Sequence, residues 1–153
     1  MNIKNSTTPI LINGGSHKDE RGELSFINDF SLETVKRFYT ITHPSTNVVR
    51  AWQGHKKQPR YFYVVSGVFW IACVNIDNWE RPSPELKPEI FKIDSEAQNS
   101  VLYVPPGYAN GIKAVKNNSK LISFCEDFLG ETNGDEFRYD QNLWLDWNSL
   151  NEA

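Results

Sequence analysis

Apolar residues in this sequence come in short runs rich in Val, Ile, Phe, Tyr and Trp, and turn residues cut those runs before any reaches helical length. Short runs punctuated by Pro, Gly and Asn at roughly 8–12-residue spacing are the pattern of an all-β domain. The spacing predicts strands over residues 9–12, 23–28, 35–42 and 46–52, then over 89–93, 100–104, 111–115 and 120–128. Residues 60–76 are too long for one strand and carry Ser66-Gly67 in the middle. They read as a hairpin of 60–65 and 68–76. Ser31 could cap a single helical turn over 32–35, and Asn117-Asn118 marks a turn. Residues 77–88 hold three prolines and read as a surface loop. From 129 onward the pattern weakens, and residues 135–147, with irregularly spaced aromatics, are expected to wrap back over the body.

A chain of 153 residues is the size of one domain. The expected architecture is a single-domain all-β jelly-roll sandwich or barrel over 1–153, with its core over about 19–128 and a C-terminal wrap over 129–153. Aromatic residues are 13% of the chain, with one Met, which suits pleated, half-buried surfaces. An immunoglobulin sandwich is disfavoured because the chain exceeds the ~100 residues of that fold.

Composition also narrows function. Lys plus Arg number 16 against 19 Asp plus Glu, a net charge of −3. That argues against a general nucleic-acid binder, although a local basic pocket is compatible with it. Residues 1–6 hold no apolar signal-peptide region, and the apolar stretch 61–76 falls short of the ~20 residues of a membrane helix. The expectation is a cytoplasmic protein with no membrane partner. Cys73 and Cys125 sit in apolar runs and read as buried free thiols of a reducing compartment.

Three clusters carry possible chemistry. Arg21, in Asp19-Glu20-Arg21-Gly22, could bind phosphate as a planar fork, or simply be part of a solvated turn. Residues 50–60 bring Arg50, Lys56, Lys57 and Arg60 together with Trp52, Gln53 and His55. Strand alternation places Arg50 and Trp52 on one face and Gln53 on the other. The group could form an anion pocket with a stacking platform, or a basic surface loop. Neighbouring cations lower the pKa of His55 and keep it neutral, able to accept a proton near pH 7. Tyr108 and Asn110 follow the rigid Pro105-Pro106-Gly107 turn and point the same way from the emerging strand. Three histidines without a His-x-His pair support no metal site, and no Walker loop, dinucleotide fingerprint or serine elbow is present. No metal and no cofactor are expected.

The order of these motifs, Asp19-x-Arg21-Gly22, then residues 49–57, then Val65-x-Gly67, then residues 103–111, resembles the dTDP-4-dehydrorhamnose 3,5-epimerase superfamily. It is closer still to the sugar 3,4-ketoisomerases, which carry a His-x-His-Lys-Lys stretch. The resemblance spans about residues 19–147. It implies a metal-free cupin jelly roll, usually a homodimer, that holds a nucleotide-linked keto sugar in the barrel mouth for surface-polysaccharide synthesis. Arg21 and Arg50 match arginines that bind diphosphate or sugar, and His55 matches the second histidine of the ketoisomerase pair. Gln53 stands where the first histidine, the usual base, belongs. Asn110 stands where the epimerases have a histidine, and Phe124 or Phe128 near their proton-donating tyrosine.

These departures bear on mechanism, because proton removal next to a carbonyl needs a titratable base, and Gln, Asn and Phe do not titrate. Two readings follow. In one, the chain is an isomerase acting on a nucleotide-linked 4-keto-6-deoxy sugar, with dTDP the expected nucleotide. His55 is then the base or shuttle and Tyr108 or Tyr103 the donor, with Arg21, Arg50, Trp52, Gln53, Arg60, Tyr103 and Asn110 around the substrate. In the other, it is a nucleotide-sugar-binding cupin that has lost the reaction. A polysaccharide-binding β-sandwich is a third, blander class. Whether His55 faces the barrel interior, on the side shared with Gln53, separates the first two; a bulge at Gly54 would turn it to solvent.

Overall fold

The computed structural model describes residues 3–131 and 134–150. Among them the chain forms twelve strands: β1 (Ile10–Asn13), β2 (Gly15–Asp19), β3 (Gly22–Phe26), β4 (Arg37–His43), β5 (Val49–His55), β6 (Arg60–Ser66), β7 (Val68–Asn75), β8 (Glu89–Asp94), β9 (Ser100–Val104), β10 (Tyr108–Ala114), β11 (Ser119–Cys125) and β12 (Phe137–Arg138). Two five-stranded antiparallel sheets, β1-β9-β6-β11-β4 and β12-β5-β10-β7-β8, pack as a sandwich, and β2-β3 forms a separate two-stranded hairpin. The Asn99 side-chain amide ties that hairpin to the body by donating to the carbonyls of Gly15 and Phe26, at 3.0 and 2.8 Å.

Alternation along each strand builds the interior. Phe62 and Val64 of β6, Leu102 and Val104 of β9 and Leu121 of β11 meet Phe69 and Ile71 of β7 and Ile112 of β10 in one buried cluster. The second sheet is buried on its outer face as well, because residues 139–150 lie across it. Trp147, Trp144, Leu143 and Leu145 pack there against Trp52, Ala72, Val74 and Ala109. Small side chains on β7 and β10 leave room for the indoles. Removing a buried aromatic of this kind costs roughly 3–5 kcal/mol.

Residues 60–76 are not a hairpin. The first half pairs with β9 and β11 in one sheet, and the second with β10 and β8 in the other. Ser66-Gly67 is therefore a corner where the chain changes sheets. Gly67 has φ of 80°, and a Cβ there would collide with the Ser119 side chain. Both facts demand glycine. The same crossing recurs at Asn118, whose φ of 61° turns β10 into β11. Local pattern cannot distinguish a corner from a hairpin, since both need only a turn between apolar runs.

Two smaller differences have equally local causes. Ser31 Oγ accepts from Glu33 N at 3.2 Å and Val35 N bonds Leu32 O, so the segment expected as a helical turn is a hydrogen-bonded turn without helix. Residues 15–19 form strand β2 although they are mostly polar, because they only pair with β3 in the exposed hairpin.

Candidate functional site

A cavity of about 410 Å³ opens between the two sheets. Tyr39 and Ile41 of β4 and Phe62 of β6 line one side. Arg50 and Gln53 of β5 and Asn110 and Ile112 of β10 line the other, with Arg138 and Tyr139 at the rim where β12 joins β5. Its polar chemistry is two guanidinium groups, two amides and two phenols. None of the side chains lining it is a carboxylate or an imidazole.

Arg50 and Gln53 reach the same cavity because alternation breaks between them. Asn110 pairs with Gln53, yet Ile112 pairs with Arg50, so three steps on β5 oppose two on β10. This is a β-bulge at Ala51-Trp52, and it re-aims the residues on either side of it. Arg50 therefore shares the cavity with Gln53, and the face it was expected to share with Trp52 is interrupted. Trp52 contributes to the wall, but its ring is buried in the outer layer, 5.3 Å from the Trp144 ring and 5.4 Å from Trp147. Its Nε1 donates to Leu143 O at 3.0 Å.

Beyond the bulge alternation resumes, so His55 follows Gln53 on the interior side, opposite Tyr108. The bulge lies ahead of Gln53, not at Gly54, and His55 is not turned to solvent. It is only 2% exposed and does not line the cavity. Its Nδ1–H donates to the Asp135 carbonyl at 3.1 Å, which leaves Nε2 as the acceptor nitrogen. Burial, reinforced by the Arg60 charge, lowers its pKa to about 4, against the opposing pull of Asp135 and Asp127. The imidazole is neutral at pH 7.

Arg60 sits beside it, 3% exposed, with Nη1 at 3.1 Å from Pro59 O and 3.5 Å from the buried Asp127 carboxylate. Arg37 approaches the same carboxylate at 3.4 Å. Arg60 is thus part of a buried ion cluster with Asp127 and Arg37, outside the cavity lining. Tyr108 is in the interior core with its hydroxyl 3.4 Å from Thr7 O, and burial raises its pKa. Tyr103 lies in a separate cluster with Ile12 and Tyr61, its ring 5.1 Å from that of Tyr61. Arg21 is exposed at the tip of the β2-β3 hairpin, 2.6 Å from the Asp19 carboxylate.

The cavity therefore collects Arg50, Trp52, Gln53 and Asn110 from the candidate set, places His55, Arg60 and Tyr108 next to it in the interior, and leaves Arg21 and Tyr103 apart. Phe124 packs against Phe30 in the cluster of Tyr61 and Tyr103, and Phe128 is exposed. Neither lines the cavity. Sequence reasoning missed Tyr39, Arg138 and Tyr139. Tyr39 was within reach, since the alternation over 35–42 puts Tyr39 and Ile41 on one face. Arg138 had no periodic signal, because β12 is two residues long. Among the described residues no group of three or more His, Cys, Asp or Glu could hold a metal ion. No helix among them is long and apolar enough to cross a membrane.

Two antiparallel sheets closing on an interior cavity, with one edge strand added late in the chain, define a cupin-type β-sandwich. Solved structures of nucleotide-sugar epimerases and 3,4-ketoisomerases share it across most of the chain. The rmlC epimerase of Mycobacterium tuberculosis matches with a TM-score of 0.72 at 21% identity, over 94% of this chain and 76% of its own. A sugar 3,4-ketoisomerase from Thermoanaerobacterium thermosaccharolyticum, in complex with TDP, matches at 0.68 and 20% identity, over 87% and 89%. A 3'-monoepimerase from Streptomyces bikiniensis in complex with dTDP-quinovose matches at 0.70 and 17% identity, over 87% and 70%. No protein-family model and no curated protein matches the sequence. At such identities the likeness establishes the fold.

Proposed function

We propose that this chain binds a nucleotide-linked 4-keto-6-deoxy sugar, of the dTDP class, in the interior cavity and acts on it as a cytoplasmic isomerase by removing a proton next to the keto group. The observation that carries this reading is the convergence of Arg50, Gln53 and Asn110 in one cavity. The fold is shared with enzymes of dTDP sugars. Arg50 supplies a fork for the diphosphate. The Gln53 and Asn110 amides orient the sugar and its keto oxygen, and donate to that oxygen as negative charge develops on it. His55 follows Gln53 on the same interior face as a neutral imidazole beside the cavity lining, and in this reading its Nε2 takes the α-proton from a sugar that reaches past Gln53. Epimerisation is completed when a second donor, a water in this reading, protonates the same carbon from the opposite face; a keto shift is completed when His55 returns its proton to the former carbonyl carbon while the hydroxyl proton of the deprotonated carbon passes to the former keto oxygen.

A second reading is a nucleotide-sugar-binding cupin without turnover. It is favoured by a cavity lining that offers no carboxylate or imidazole and by a His55 pKa of about 4, which makes a weak base. One experiment separates the two. The protein is incubated in heavy water with dTDP-, UDP- and GDP-linked 4-keto-6-deoxy sugars, and products are read by mass spectrometry. Deuterium uptake next to the keto group, lost in His55→Ala, is the expected result. Binding without uptake establishes the second reading, and absence of binding refutes both.

A homodimer fits the same picture. Leu24, Phe26, Leu32 and Phe38 are exposed, and β1 and β4 are sheet edges. Light scattering should give twice the mass of one chain; a monomer at micromolar concentration contradicts this.

A further inference from the structure

We propose that β12 is a ligand-binding element, in which Arg138 forms with Arg50 a two-guanidinium clamp for the diphosphate. The assignment rests on the reading of the cavity as a nucleotide-sugar site and names a residue of that site for which the sequence carries no motif.

Placement comes first. Arg138 pairs directly with Gln53 across the β12–β5 ladder. The register is locked on its far side by reciprocal bonds between Trp52 and Tyr139, 3.1 Å from Trp52 N to Tyr139 O and 3.2 Å in return. Arg50 lies on β5 across the bulge from Gln53. The two arginines thus flank Gln53 from neighbouring strands, and both line the cavity.

Charge is the second point. Arg21 pairs with Asp19, and Arg37 and Arg60 share Asp127. Among the described residues neither Arg50 nor Arg138 has a carboxylate partner, and none lines the cavity. In a chain of net charge −3, two uncompensated guanidinium groups converge on one cavity. Two planar forks suit two adjacent phosphoryl groups better than one does.

The third point is that this short strand is held firmly. The Asp135 carboxylate accepts from the backbone N–H groups of Lys56, Lys57 and Gln58 at 2.8, 2.9 and 3.2 Å, clamping the entry of β12 onto the β5–β6 turn. Tyr139 donates its hydroxyl to Trp79 O at 2.7 Å on the exit side. A two-residue strand anchored at both ends presents Arg138 with its backbone already ordered, which lowers the entropic cost of binding.

The test is calorimetric titration of dTDP and of thymidine, which lacks the phosphates, into wild type, Arg138→Ala, Arg138→Gln and Arg50→Ala. Loss of a charge-assisted fork should weaken dTDP about 10- to 100-fold in both Arg138 variants, with a shallower salt dependence and no change for thymidine. The Gln variant keeps most of the stem, so the same loss there assigns the effect to charge. If both Arg138 variants bind dTDP as wild type does while Arg50→Ala is impaired, Arg138 is a solvated surface residue and the clamp is wrong. If wild type itself fails to bind dTDP, the nucleotide-sugar reading falls and the clamp falls with it.

Discussion

Acid should destabilise this protein through His55 in a way that one substitution removes. The imidazole faces Arg60 of β6 and the Asp127 charge just beyond β11, lies opposite Tyr108 on β10, and is bonded to the Asp135 carbonyl. Burial and the Arg60 charge hold its pKa at about 4, whereas an unfolded chain restores the ordinary value near 6.5. Between those values the unfolded state binds a proton that the folded state refuses, so stability falls as pH drops through that window. Each pH step there is worth about 1.4 kcal/mol, which accumulates to about 3 kcal/mol by pH 4. His55→Gln removes the titrating group and keeps an amide that can donate to Asp135 O. Urea unfolding followed by tryptophan fluorescence, from pH 7 to 4.5, should give a stability difference that shifts steadily in favour of the variant below pH 6.5. His43, whose pKa is also lowered, first by burial and then by Arg50, titrates in both proteins and cancels in the comparison. A stability difference that stays constant across the range would show that His55 is not the buried neutral group described here.

Two further outcomes follow from the fold. Gly67→Ala should cost about 1–3 kcal/mol, because a residue with φ of 80° would have to press its Cβ into Ser119; an unchanged urea midpoint would mean the corner relaxes freely. Cys73 and Cys125 are buried free thiols with their pKa pushed up by that burial, so an aromatic disulfide reagent should label neither in the native protein and both in urea. Rapid labelling of the native state would place one of them nearer solvent than it is here.

Several elements were legible from local pattern alone. The 60–65 and 68–76 runs are real strands, and the turns at Ser66-Gly67 and Asn117-Asn118 fall where Gly and Asn can supply positive φ. The placement of Tyr108 and Asn110 on one interior face followed from alternation. What failed was the inference of partners. A turn between two apolar runs reads locally as a hairpin, although the runs join different sheets. Alternation through 50–53 gave the wrong companion for Arg50, because the bulge at Ala51-Trp52 depends on how β10 pairs with β5.

By itself the sequence determined the class of fold, the elements and the inventory of polar groups near the site, since propensity, alternation and turn chemistry act over a few residues. Tertiary structure decided which of those groups share a cavity. His55 and Arg60, sequence neighbours of Arg50, were drawn into a buried network with Asp127 and the Asp135 carbonyl. Arg138, some eighty residues further along the chain, was brought to Gln53 by a two-residue strand. Pairing across sheets is set by long-range packing and by the free energy of covering the outer face with the C-terminal tryptophans, and no local window of sequence contains that information.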